Sequence, residues 1–134
     1  MPAHVSLFHA LPGQELSQVL DDVRAVADRP PLTVQVTGVR SLGRGTALVL
    51  ESPELLVVRA ELAQRWAGEL TRQDAQRFSP HVTVQNKVEP AQARALVARL
   101  QAAFVPWSMT GVGLHVWRYL GGPWEPIRAY PFRG

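Results

Sequence analysis

The sequence predicts an α+β fold built from two pseudo-symmetric β-α-β-β units. Short segments in which apolar and polar residues alternate, as they do in strands, are interspersed with longer segments in which apolar residues recur at helical spacing. The order strand, helix, strand, strand occurs twice, over residues 4–51 and again over residues 81–132. A chain of 134 residues, 46% of them hydrophobic, can bury one sizeable core without disulfides. We therefore expect a single domain, 1–134, made of two related lobes.

The elements of the first lobe follow from periodicity. A helix is indicated where Leu16, Val19 and Val23 recur at helical spacing, and two prolines at 30–31 end it. Alternation from Leu32 indicates a strand, and a glycine turn separates it from the next. The predicted elements are a strand at residues 4–7, a helix at 14–28, a strand from residue 32 and a strand at 46–51.

A connecting helix and a second lobe follow. Ser52 can cap a helix, Pro53 suits the first helical position, and Glu54 favours the positive end of the helix dipole, so we expect a helix at 53–70. The lobes are expected at about 1–52 and 80–134. The predicted elements of the second lobe are a strand at 81–87, a helix from residue 89, a strand at 108–119, a turn at 121–123 and a strand at 124–132.

The composition excludes several classes of protein. Without cysteine the chain cannot form disulfides, zinc ribbons, iron–sulfur clusters or a thiol nucleophile, and a reducing cytoplasm is the expected location. It has no apolar run of the ~20 residues that a membrane span needs, and no signal peptide is expected. Metal-ligand clusters, a phosphate-binding glycine loop and a Gly-x-Ser-x-Gly elbow are also missing from the sequence. We expect a cytoplasmic monomer without metal, cofactor or membrane association.

Each lobe opens with the same tetrapeptide pattern, HVSL at residues 4–7 and HVTV at residues 81–84. Side chains at i and i+2 of a strand share a face, so His4 lies beside Ser6 and His81 beside Thr83. Pseudo-twofold packing of the lobes predicts that the two pairs face each other across a groove.

Two histidines on opposite sides of a phosphate suit metal-free cleavage of a phosphodiester. One imidazole can take a proton from the attacking oxygen while the other gives one to the leaving oxygen. Attack and departure are roughly in line, which requires the two groups on opposite sides of phosphorus. The two hydroxyls can hold the non-bridging oxygens, where negative charge develops. The formal net charge of +3 is compatible with a phosphate-bearing partner.

These paired motifs resemble the His-x-Thr/Ser-hydrophobic motifs of the two-histidine phosphoesterase superfamily, and residues 78–83 resemble its 2′-5′ RNA ligase-like branch. The resemblance covers nearly the whole chain. It implies a bilobal α+β fold with antiparallel-rich sheets around a central cleft, helices outside and no metal. The implied partners are nucleotides or RNA with a 2′,3′-cyclic phosphate or a 2′-5′ linkage. By this resemblance His4 and His81 form the acid–base pair, and Ser6 and Thr83 bind the phosphate.

The sequence departs from the family pattern at two places. Relatives usually have a further strand and helix before the first motif, so we expect a trimmed first lobe or another segment that completes its sheet. Ligase-like relatives often have an arginine five positions after the second histidine, where this chain has Asn86. Lys87 follows it and, by alternation, shares the face of His81 and Gln85. Lys87 and Gln85 are therefore predicted substrate contacts.

Other substrate contacts are predicted with a structural alternative left open for each. Phe8 shares the face of His4 if the strand is regular, where it can stack on a base or pack in the core. Arg44 in its glycine turn can reach a phosphate or remain an exposed turn residue. Trp124, with Trp117 and Tyr119, forms either a base-stacking shelf or part of the core. His9 and His115 are expected to be structural or surface residues.

We expect a hydrolase that opens nucleoside or RNA-terminal 2′,3′-cyclic phosphates, and the resemblance implies a 2′-phosphate product. The acid and base roles of the two histidines are left open. One alternative is reversible, ATP-independent 2′-5′ RNA joining by the same residues. The other is a non-catalytic module that binds RNA or a nucleotide.

Overall fold

A computed structural model describes residues 3–11, 16–119 and 124–133. The predicted α+β class is confirmed. Over the described ranges the elements are, in chain order, α1 (Leu16–Val26), β1 (Leu32–Ser41), β2 (Thr46–Glu51), α2 (Pro53–Arg65), β3 (His81–Gln85), α3 (Pro90–Ala103), β4 (Trp107–Gly111), β5 (Gly113–Tyr119) and β6 (Trp124–Pro131).

Four of the strands form one sheet in the order β3-β2-β1-β4, and β5 pairs with β6 in a second, two-stranded sheet. The ladders β1–β2, β2–β3 and β5–β6 are antiparallel. β2 starts very close to the end of β3. A Cβ at Gly45 would lie 2.2 Å from the carbonyl oxygen of Gln85, so only glycine fits there.

The strand register assigns the residues of the four-stranded sheet to two faces, one of them mostly apolar. Residues directly opposite in an antiparallel ladder point to the same side. One face carries the buried pair Val36 and Leu50 and, further along, Leu48 opposite Val82. The other face, called the polar face below, carries three rows: Arg40–Ala47–Thr83, Gly38–Val49–His81 and Gln35–Glu51.

The helices bury one side each. Val19, Val23 and Val26 are buried on α1, and the buried residues of α2 include Leu55, Val58 and Leu62. α1 lies inside the predicted helix 14–28, of which residues 14 and 15 are outside the described ranges. α2 is shorter than the predicted helix 53–70, because turns follow Arg65 and Gly68 takes a left-handed conformation (φ +83°) that a helix cannot continue through.

The chain divides into two compact units, each assembled from three segments. The first consists of Met1–Leu7, Thr33–Pro53 and Arg77–Met109, and it holds most of the four-stranded sheet together with α3. The second consists of Phe8–Leu32, Glu54–Gln76 and Thr110–Gly134, and it holds α1, nearly all of α2 and the β5–β6 sheet. The lobes expected at about 1–52 and 80–134 are defined by the sequence repeat and stay a prediction.

The predicted strand at residues 4–7 is wrong, since no strand occurs over residues 3–11. A strand requires backbone hydrogen bonds to a neighbouring strand. Backbone amides that follow residue 7 donate to a side chain instead. Those of His9 and Ala10 donate to the carboxylate of Asp74, at 2.8 and 2.9 Å. Alternation over four residues indicates which side chains would face a core, but it does not show whether another strand lies alongside.

The predicted strand at 108–119 consists of two strands, β4 and β5, that belong to different sheets. The break falls at Val112, whose carbonyl accepts a hydrogen bond from the amide of Phe132 at 2.9 Å. Next to it, Gly113 lies so close to the opposite strand that a Cβ would be 2.8 Å from the carbonyl oxygen of Tyr130. The predicted turn at 121–123 is outside the described residues. None of the helices within the described ranges combines the length and the apolar composition of a membrane span.

Candidate active site

The second motif lies on β3, at the edge of the four-stranded sheet. His81 is opposite Val49 and Thr83 is opposite Ala47, which places both on the polar face. His81 is half-buried and Thr83 is exposed, while Val82 between them is buried on the other side. β3 therefore presents an imidazole and a hydroxyl next to each other on one accessible surface.

The imidazole of His81 has two polar neighbours at the same ring nitrogen. Its Nδ1 lies 3.1 Å from the carbonyl oxygen of Ser79 and 3.4 Å from Nη2 of Arg40. A carbonyl oxygen only accepts a hydrogen bond, so the contact with Ser79 requires a proton on Nδ1. In the neutral ring that tautomer leaves a lone pair on Nε2 for proton transfer.

Arg40 was not among the residues that the sequence predicted for the site. Alternation along β1 places it on the same face as Gly38, but its position next to β3 depends on two strand pairings. Arg40 is opposite Ala47 on β2, which is opposite Thr83 on β3. Only this register brings a guanidinium to the second motif, and no local pattern encodes it.

The first motif belongs to the same compact unit as the second. His4 and Ser6 are exposed, and Val5 and Leu7 are half-buried, in a segment that is not a strand. The arrangement of the two imidazoles on opposite sides of one phosphate stays a prediction.

The predicted continuation of the polar face to Gln85 and Lys87 is wrong. The β2–β3 ladder has a bulge, so that Thr83 is opposite Ala47 while Gln85 is opposite Thr46. The hydroxyl of the buried Thr46 donates to Oε1 of Gln85 at 3.2 Å. Lys87 follows the end of the strand with a left-handed backbone (φ +57°). Neither residue therefore continues the row of His81 and Thr83 by alternation, and their contact with substrate stays a prediction.

Arg44 lies in the turn before β2, next to the segment that follows β3. Its Nε donates to the carbonyl oxygen of Val88 at 3.2 Å, and its own carbonyl accepts from the amide of Val88 at 2.9 Å. The guanidinium therefore links the two segments and remains exposed. Its predicted contact with a phosphate stays a prediction.

The other predicted contacts belong to the second unit. The half-buried ring of Phe8 packs edge-on against Trp66, with centroids 5.0 Å apart, and the guanidinium of Arg59 lies 3.9 Å from the ring centre. These contacts favour packing in the core for Phe8, and the regular strand that would place it on the face of His4 does not form. Trp124 is 45% exposed at the start of β6, opposite Tyr119, and its role in a base-stacking shelf stays a prediction.

A separate polar cluster in the second unit surrounds the buried carboxylate of Asp74. It accepts hydrogen bonds from the amides of His9 and Ala10, and Nδ1 of His9 lies 3.2 Å away. Burial raises the pKa of Asp74, but the bonds from Ala10 and His9 outweigh it and hold the pKa below its ordinary value. Burial lowers the pKa of Arg59, and the charge of Asp74 opposes that shift. The structure thus gives His9 a structural partner.

An α+β fold with two histidine–hydroxyl motifs in one compact unit is typical of the two-histidine phosphoesterase superfamily. The chain belongs to the 2′-5′ RNA ligase superfamily, whose family model matches residues 1–123. The predicted family membership is thereby confirmed.

Solved structures with the same fold share little sequence with this chain. TT0787 of Thermus thermophilus is similar with a TM-score of 0.68 and 16% identity, over 98% of this chain and 79% of that protein. LigT of E. coli, crystallised with 3′-AMP, gives a TM-score of 0.60 and 14% identity, over 99% and 78% of the two chains. A structure described as a phosphoesterase gives 0.63 and 14%, over 99% and 78%. None of the curated proteins matches this sequence.

Proposed function

We propose that this protein is a metal-independent cyclic phosphodiesterase that hydrolyses nucleoside or RNA-terminal 2′,3′-cyclic phosphates to 2′-phosphates. Members of its superfamily act on phosphodiesters. The observation that carries the proposal is the polar face, where His81 is held at Nδ1 next to the exposed hydroxyl of Thr83. The 3′-AMP bound to the E. coli protein of the same fold supports a nucleotide as the ligand.

The proposed reaction needs two proton transfers and no covalent intermediate. A water oxygen attacks phosphorus as one imidazole takes its proton, the bond from phosphorus to the ribose 3′ oxygen breaks, and the other imidazole protonates that oxygen. The phosphate then stays on the 2′ oxygen. His4 and His81 supply the imidazoles, and Ser6 and Thr83 donate to the non-bridging oxygens. When Nδ1 of His81 donates to the Ser79 carbonyl, Nε2 is the nitrogen that exchanges the proton in either role.

The proposal is tested by a substrate panel with EDTA present, comparing 2′,3′-cyclic and 3′,5′-cyclic mononucleotides with 2′-5′- and 3′-5′-linked dinucleotides. The expected result is selective hydrolysis of the 2′,3′-cyclic compounds. Each acid–base group contributes ~10²–10⁴-fold to the rate, so His4→Ala and His81→Ala should each lower kcat by that factor. His115→Ala, an exposed histidine of β5, is the matched control and should keep full activity.

Complete loss of activity on chelation, or full activity of His81→Ala, would contradict the proposal. Tight nucleotide binding without turnover, unaffected by both substitutions, would instead indicate a non-catalytic binding module. Product analysis checks the bond that breaks, since a 3′-phosphate product would mean cleavage at the 2′ oxygen.

The second candidate function is reversible, ATP-independent 2′-5′ RNA joining, which the description of the family favours. The same residues can act if a ribose hydroxyl replaces water as the attacking group. Incubating an RNA that ends in a 2′,3′-cyclic phosphate with a second RNA carrying a free 5′ hydroxyl separates the two activities. A joined product with a 2′-5′ linkage identifies the ligase, and an unjoined 2′-phosphate end identifies the hydrolase.

A further inference from the structure

We propose that Arg40 binds the phosphate of the substrate and that this contact selects the tautomer of His81 that is competent for proton transfer. The inference rests on the proposed function for the nature of the phosphate, a 2′,3′-cyclic phosphodiester. Its own basis is the geometry of the polar face.

The register of the sheet positions Arg40 near the second motif. Its row on the polar face runs Arg40, Ala47, Thr83 across three strands. Neighbouring strands lie about 4.8 Å apart, so Arg40 and Thr83 start roughly 10 Å from each other. Ala47 between them is fully buried, and its side chain is small enough for the longer arginine to extend past it. The guanidinium accordingly reaches to 3.4 Å from His81.

The guanidinium of Arg40 is accessible to a ligand. Arg40 is exposed, and among residues 3–11, 16–119 and 124–133 no carboxylate is within ion-pair distance of it. Arg29, Arg65 and Arg133, by contrast, pair with Glu61, Asp22 and Asp28. A guanidinium has five donors in a planar fork that matches two phosphate oxygens, and an imidazole occupies at most one of them.

The two neighbours of Nδ1 of His81 make conflicting demands on its proton. The Ser79 carbonyl accepts only, so it needs a proton on Nδ1, and Arg40 donates only, so it needs a lone pair there. One neutral tautomer cannot satisfy both partners. A phosphate that engages Arg40 gives its donors better acceptors and leaves Nδ1 to Ser79. The lone pair then resides on Nε2, where the proposed proton transfer takes place.

The same geometry favours Arg40 over Lys87 as the cation at the phosphate. Lys87 lies beyond the last residue of β3 with its backbone turned to φ +57°, and its amide donates to the side chain of Asn86 at 3.0 Å. Arg40 lies on the face that carries the motif.

The first measurement is turnover of a 2′,3′-cyclic mononucleotide by Arg40→Gln and Arg40→Lys. Removing one donor that stabilises developing charge lowers kcat by ~10²-fold or more. We expect a loss of that size in Arg40→Gln, and a smaller loss in Arg40→Lys because lysine offers a point charge without the fork. Arg99→Gln, an exposed arginine on α3 of the same unit, is the control and should stay within about twofold of the wild type.

The second measurement follows the ring nitrogens of His81 by ¹⁵N NMR in alkaline buffer, where imidazoles are neutral. Adding a nucleoside 2′-monophosphate to the wild type should shift His81 towards the form protonated at Nδ1. Arg40→Gln should show that form already without ligand and should bind the nucleotide at least ~10-fold more weakly.

Turnover within twofold of the wild type and unchanged nucleotide affinity in Arg40→Gln would overturn the inference. Failure of the proposed function looks different, because His81→Ala would then remain active or the wild type would have no turnover. In that case the nucleotide titration of Arg40→Gln still decides whether Arg40 binds a phosphate.

Discussion

The Asp, Glu, Lys and Arg side chains described in the first compact unit are exposed, whereas the second unit buries several of them. On the polar face of the first unit, His81, Thr83 and Arg40 are accessible, and Arg40 has no carboxylate partner within the described ranges. In the second unit the charged groups Asp74 and Arg59 are buried and satisfied by hydrogen bonds.

Asp22 of the second unit is a further buried charge whose hydrogen-bonding capacity is used within the protein. Its carboxylate is buried and accepts from the indole of Trp66 at 2.9 Å, from Gln18 at 3.0 Å and from Arg65 at 3.1 Å. A buried charge without such partners would cost several kcal/mol, so each partner contributes to stability. Hydrogen-bonding capacity that is used within the protein stabilises the fold, and capacity left at an accessible surface is available for a ligand.

The strongest test of this difference between the units replaces one histidine of each unit with alanine, in separate variants. We expect His81→Ala to lower kcat for a 2′,3′-cyclic mononucleotide by ~10²–10⁴-fold with little change in the free energy of unfolding. His9→Ala should lose about 1 kcal/mol of stability through its bond to Asp74 and should retain its kcat. Steady-state kinetics and urea denaturation of both variants measure the two effects, and equal effects of the two substitutions on kcat would refute the distinction.

The next largest effect is expected from Asp74→Ala. The substitution removes the acceptor for two backbone amides and one imidazole in a buried place. The free energy of unfolding should fall by ~3 kcal/mol, because hydrogen bonds to a charged group are worth roughly 1.5–3 kcal/mol each and water replaces part of them. Denaturant titration provides the value. An exposed carboxylate on the same unit, Asp28, serves as the control, and Asp28→Ala should change stability by less than about 0.5 kcal/mol.

The same carboxylate should make stability depend on pH in acid. The pKa of Asp74 is lower in the folded than in the unfolded chain, where a value of about 3.9 applies. Its stabilising contribution is therefore fully present above that unfolded value and disappears as the pH falls through the folded one. Urea unfolding at a series of pH values should show this loss in the wild type. Asp74→Asn should show a shallower decline, and parallel curves for the two proteins would contradict the assignment.

The smallest effect in this series is expected from Trp66→Phe. Phenylalanine keeps most of the buried aromatic surface and the edge-on contact with Phe8, but removes the indole donor to Asp22. We expect a loss of about 1.5 kcal/mol in unfolding free energy with no change in kcat. A loss of turnover comparable to that of His81→Ala would show that this network is coupled to the chemistry.

The sequence was sufficient where local signals determine the structure. β2 covers the predicted residues 46–51, and α3 starts at Pro90 after the predicted boundary at Glu89. The alternation of apolar and polar residues in a strand and the residue types in the first turn of a helix both depend on a few neighbouring positions. Both can therefore be recognised in the sequence without knowledge of the fold.

The errors have a common cause in contacts between distant segments. Alternation predicts a strand at residues 4–7 and a single strand where β4 and β5 form, because it does not reveal which strand lies alongside. The bulge opposite Thr46 reverses the face of Gln85, and two successive pairings bring Arg40 to His81. The site residues of the motifs were identified from their pattern, whereas the cation next to them depends on register.

The chain passes back and forth between the two compact units, and this limits how the protein can be divided into fragments. Because each unit is assembled from three separate stretches of chain, no single proteolytic cut or gene truncation releases either one intact. Splitting the gene between the two sequence repeats would distribute the pieces of both units over two fragments. Neither fragment should fold by itself, and activity should return only when both are expressed together and associate.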